Sequence, residues 1–65
     1  MSLGKQIRKA RRMANMTQQD LATKVGIVLS SIFNIERGKT DPRWSTVQKI
    51  ANILNIPLDK IRKSK

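Results

Sequence analysis

The chain has no cysteine, histidine or tyrosine, one tryptophan, one phenylalanine, and four acidic residues among 65. Without cysteine there is no disulfide framework, thiolate metal site or thiol nucleophile, and a reducing compartment suits the chain, so a cytoplasmic location is expected. Without histidine as well, and with a structural use for each acid, general acid–base and nucleophilic chemistry lack candidates. Neither an enzyme nor a metal, cofactor or small-molecule site is expected. No apolar run approaches the roughly 20 residues needed to cross a bilayer, and the start of the chain lacks the apolar stretch of a signal peptide. A soluble single domain spanning residues 1–65 is expected, near the lower size limit for a core without disulfides or metal.

What the sequence has in excess is positive charge. Fourteen Lys and Arg give a net charge of +10, which favours a polyanionic partner through counterion release, nucleic acid first and an anionic membrane second. Lys5, Arg8, Lys9, Arg11 and Arg12 crowd the first fifteen residues with no acid among them, and Lys60, Arg62, Lys63 and Lys65 crowd the end. The stretch from Met16 to Gly38 is nearly neutral by comparison, so basic flanks frame a less charged surface.

Periodicity predicts helices throughout and no strand. A basic first helix runs from Gly4 to Asn15 with Ile7, Ala10 and Ala14 as its apolar stripe. Thr17 and Asp20 have the spacing of a capping box for a second helix ending at Val25. A third covers about Val28 to Arg37 and stops at Gly38, and a fourth runs from Arg43 or Ser45 to Leu54. Pro57 fits the first position of a short fifth helix. The expected architecture is an all-α, compact five-helix bundle.

Within it, Gln18 to Arg37 has a spacing that helical sequence seldom shows. Two helices meeting near a right angle through a tight turn need apolar residues at positions four and eight and a small residue at five. They then need a residue free to take positive φ at nine, an apolar plug, and apolar residues at fifteen and eighteen. Leu21, Val25, Ala22, Gly26, Ile27, Ile32 and Ile35 meet all seven demands of a helix-turn-helix.

With these residues in place, the stretch from Ile7 to Ile61 resembles the Cro and phage-repressor (XRE-type) helix-turn-helix family. The resemblance rests on Ile7-Arg8, Arg11, Met16-Thr17-Gln18, Leu21-Ala22, Val25-Gly26, Ile32, Ile35 to Lys39, Pro42, Lys49-Ile50-Ala51 and Ile56 to Ile61. It implies a repressor-like domain that binds double-stranded DNA and regulates transcription, with the third helix in the major groove. It also implies phosphate contacts from Gln18, Lys39, Thr40 and Arg43, each of which is otherwise an ordinary solvated side chain, and an ion pair between Arg11 and Glu36. Helical geometry and the resemblance together put Val28, Leu29, Ser30, Phe33, Asn34 and Arg37 on the base-reading face.

That face departs from the family pattern. Ser or Thr is common where Val28 stands, and polar or basic residues where Leu29 and Phe33 stand. Three readings stay open: contact with thymine methyl groups, a protein-binding patch, or a face altered away from an ancestral specificity. A protein-interaction module is therefore the alternative function. A cationic membrane-surface peptide fits less well, because the internal turn and caps describe a globular unit. Trp44 reads as core rather than a dimer surface, and Met13 and Met16 as core or surface filler. A homodimer on DNA is expected, since two-fold pairing puts two third helices in successive major grooves about 34 Å apart.

Overall fold

The computed structural model describes residues 3–61. Four α-helices form among them: α1 (Leu3–Met13), α2 (Gln18–Val25), α3 (Leu29–Arg37) and α4 (Trp44–Leu54). The expected fifth helix is not an α-helix. Leu58–Lys60 makes one 3₁₀ turn, closed by the Ile61 N–H donating to the Leu58 carbonyl at 3.0 Å. Three residues after Pro57 are too few to repay the nucleation of an α-helix. Arg62, Lys63, Lys65 and the side chain of Lys60, the end of the basic C-terminal run, lie outside the described residues.

All four helices stop by the same device. Asn15, Gly26, Gly38 and Asn55 take positive φ of 59°, 88°, 77° and 58°. The next residue's N–H then reaches back five residues: Met16 to Arg11, Ile27 to Ala22, Lys39 to Asn34 and Ile56 to Ala51, at 2.8–3.1 Å. These bonds satisfy carbonyls that a helix end leaves without partners. The N-termini differ. At α2 the Asp20 N–H donates to Thr17 Oγ1 and the Thr17 N–H donates to Asp20 Oδ2, both at 3.0 Å. Val28 and Arg43 precede α3 and α4 with no side-chain cap.

Helix α1 packs on α3 and α4, and α2 packs on the same two. The main core joins Ile7, Leu21, Ala22, Val25, Ile32, Ile35, Ile50 and Leu54, with Met16 and Ile27 packed against it. A second cluster of Val47, Ala51 and Ile61 lies beneath the half-buried Trp44. Met13 is exposed.

The inward row of α1 differs from the expected stripe. Gly4, Ile7 and Arg11 are buried, Ala10 is half-buried, and Ala14 is exposed. Ala14 falls in the terminal turn around Asn15, so it has left the helical face, and Arg11 takes the inward position one turn after Ile7. Gly4 is there for space. A Cβ built on it would lie 2.5 Å from the Ile35 carbonyl oxygen and 2.7 Å from that of Glu36. Its missing side chain lets the start of α1 lie against the last turn of α3.

Candidate nucleic-acid interface

The orientation of α3 is set at three points. Gly26 turns the chain sharply out of α2, Ile32 and Ile35 anchor the helix in the core, and Glu36 ties its last turn to α1. The Glu36 side chain is fully buried, and three hydrogen bonds converge on it. Arg11 donates from Nε to Oε2 at 2.6 Å and from Nη2 to Oε1 at 3.1 Å, and Gln18 donates from Nε2 to Oε1 at 3.1 Å. Arg8 Nε stands 3.7 Å from the same Oε1. Arg11 uses its remaining arm on the Met16 carbonyl at 2.8 Å, which fixes the loop between α1 and α2.

A carboxylate taken out of water is tolerated only when paired and fully hydrogen-bonded. That condition is met here, and no buried side-chain nitrogen or oxygen among the described residues lacks a partner. The bidentate fork of Arg11 also fixes orientation as a point charge would not. Helices α1, α2 and α3 are thus pinned together by one carboxylate.

With Ile32, Ile35 and Glu36 inward, the opposite side of α3 faces solvent. Val28, Leu29, Ser30, Phe33 and Arg37 are exposed there, whereas Asn34 is half-buried. The Arg37 guanidinium stands 5.0 Å from the centre of the Phe33 ring, a cation–π contact between neighbouring turns. Lys39, Thr40 and Arg43 are exposed on the connection from α3 to α4. Gln18 lies apart from them at the start of α2, half-buried, with its amide nitrogen on Glu36. Around it Arg8, Arg12, Thr17 and Gln18 rim a shallow hollow beside that carboxylate.

One charged group has its titration moved. The Thr17 backbone N–H, and then its side chain, hold the Asp20 carboxyl below its ordinary value of 3.8, with a smaller contribution from Lys24. Asp20 therefore serves the start of α2 as a fixed negative charge where the helix dipole favours one.

Sequence reasoning missed three participants. Arg8 lies three residues before Arg11, a spacing that puts both on one side of α1 and was the available signal. The tie from Gln18 to Glu36 spans eighteen residues and leaves no local trace. Gly4 gave no sign of its role, because one glycine near a helix start reads equally well as an accident of composition.

A family model described as helix-turn-helix matches residues 7–61. The chain is 39% identical over 59 residues to the HTH-type transcriptional regulator ImmR of Bacillus subtilis, an alignment covering 91% of this chain and 46% of ImmR. It is 39% identical over 51 residues to an uncharacterized HTH-type transcriptional regulator of Methanocaldococcus jannaschii, covering 78% and 77% of the two chains. With YazB of Bacillus subtilis, likewise called an HTH-type transcriptional regulator, it shares 36% over 58 residues, covering 89% and 84%. The chain thus spans about half of ImmR and most of the other two.

Proposed function

The chain belongs to the helix-turn-helix family, and on that premise we propose that it is a transcriptional regulator that binds double-stranded DNA in a sequence-specific way, by recognition rather than catalysis. The observation that carries this reading is the setting of α3. The helix is held by the Gly26 turn and the Glu36 network while its outer face is left to solvent beside the basic connection to α4.

In the proposed complex α3 enters the major groove, and Val28, Leu29, Ser30, Phe33, Asn34 and Arg37 meet base edges. Lys39, Thr40, Arg43 and the start of α2 at Gln18 meet phosphates, which fix register without reading sequence. The second amide hydrogen of Gln18 serves that contact while the first stays on Glu36. One short helix discriminates poorly, so the regulator acts as a homodimer on two half-sites. A cytoplasmic location fits this role, and no helix among the described residues is long and apolar enough to cross a membrane.

The test is selection from a random duplex pool, followed by sequencing and titration of the recovered site. Asn34→Ala should cost about 1 to 3 kcal/mol at one base position and leave nonspecific binding intact. Recovery of no common sequence would remove the reading.

A further inference from the structure

The outer face of α3 is unlike most surfaces that meet a polyanion, because apolar side chains dominate its first half. Val28, Leu29 and Phe33 are 65%, 42% and 44% exposed. Leu29 and Phe33 stand four residues apart and so lie in one row along the helix, with Val28 immediately before it at the N-cap. Arg37 continues the row one turn further and packs over the Phe33 ring, placing a positive charge at the end of the strip. Glu36, the acid of α3, is turned inward with its side chain fully buried. The strip is therefore apolar along its length, cationic at its end, and carried by a chain of net charge +10.

These features select one occupant. A surface of this charge, with Arg37, Lys39 and Arg43 beside the strip, matches the phosphate walls of a nucleic-acid groove better than the mixed charge of a typical protein surface. On the floor of the major groove the apolar group displayed by a base pair is the 5-methyl of thymine. Resting on the DNA-binding reading above, we infer that Val28, Leu29 and Phe33 form a methyl-reading strip and that the half-site is chosen by clustered thymines. The spacing limits the cluster. Leu29 and Phe33 are about 6 Å apart along the helix axis, close to two base-pair steps of about 3.4 Å each. The methyl groups then fall within about three consecutive base pairs of each half-site.

Replacement of thymine by uracil tests this, because it removes the methyl and leaves every hydrogen-bonding edge in place. The full chain is titrated with its selected duplex and with duplexes carrying 2′-deoxyuridine at each thymine in turn. Thymines inside one window of about three base pairs should each lose about fourfold in affinity, the equivalent of one buried CH₂ group. Thymines elsewhere should lose nothing. Leu29→Ala and Phe33→Ala should each abolish the thymine–uracil difference at one position. Sequence-selective binding that is indifferent to uracil everywhere overturns the inference and leaves the DNA-binding reading standing. Failure to select any sequence overturns both. Self-association that Phe33→Ala abolishes, together with indifference to uracil, overturns the inference in favour of a protein-docking face. The uracil series uses the unaltered chain, so its outcome does not depend on whether the variants fold.

Discussion

Gly4→Ala should destabilise the fold although helix propensity argues the opposite. Exchanging Gly for Ala inside a helix gains up to about 1 kcal/mol, and less near a helix start where fraying already relaxes the chain. Against that, the added methyl meets the Ile35 and Glu36 carbonyl oxygens at 2.5 and 2.7 Å, and both obstacles are backbone. Reaching ordinary contact near 3.4 Å requires a retreat of up to about 0.9 Å, which neither carbonyl can supply by a rotamer change. Helix α1 must then tilt away from the turn of α3 that carries Glu36, lengthening the bonds from Arg11. Overpacking of this kind costs about 1 to 3 kcal/mol. The net loss after the propensity gain should be about 1 to 2 kcal/mol, or a fall of roughly 4 to 16 °C in Tm for a domain of this size. Urea denaturation followed by circular dichroism, with the m-value checked for constancy, measures it. An Ala variant as stable as the parent, or more so, would show that α1 and α3 do not approach this closely in solution.

Three further outcomes follow from the same interactions. Arg11→Met or Glu36→Gln alone should each cost roughly 3 kcal/mol or more by stranding a desolvated partner. The double variant should cost less than the sum, and simple additivity in the cycle would remove the pair as a coupled unit. DNA affinity should fall with salt at a log–log slope on the order of −4 to −6 per monomer, and a slope near zero would count against phosphate contacts. Because the Asp20 carboxyl titrates below its unfolded value, its contribution is complete above that value and is lost as pH falls through the lowered one. The urea midpoint of the parent should therefore decline in acid below the ordinary 3.8 more steeply than that of Asp20→Asn, and parallel curves would contradict the capping role.

The parts of the fold legible in sequence are those encoded by local rules. Thr17 with Asp20, Gly26, Gly38, Asn15 and Asn55 mark helix ends through backbone preferences that act within a few residues. The apolar residues of α2 and α3 repeat at helical spacing. Reading failed where a different force took over. Apolar periodicity chose Ala14 for the inward face of α1, yet Arg11 fills it, because an arginine with a buried carboxylate to bind can occupy a core position that hydrophobicity counting assigns elsewhere. The helix after Pro57 was read from a start signal alone, and the three residues that follow close only a 3₁₀ turn. On the reading face, spacing identified which residues point outward but not how much cover each has. Asn34 is half-buried where full exposure would suit a base contact.

The helix ends themselves separate scaffold from binding surface. At each end the residue after the left-handed position donates five residues back, and such motifs commonly add an apolar contact from that residue to its own helix. After α1, α2 and α4 it is Met16, Ile27 or Ile56, and all three pack against the core. After α3 it is Lys39, which makes the same backbone bond to Asn34 but is exposed. The connection that begins there is not drawn back into the core, and it carries Thr40 and Arg43 along the surface to a fourth helix that starts without a side-chain cap. Replacing an apolar anchor by a cation gives up packing at that turn. The same exchange sets a positive charge beside the end of α3, next to the strip formed by Leu29, Phe33 and Arg37, where a groove-bound duplex would bring its phosphates.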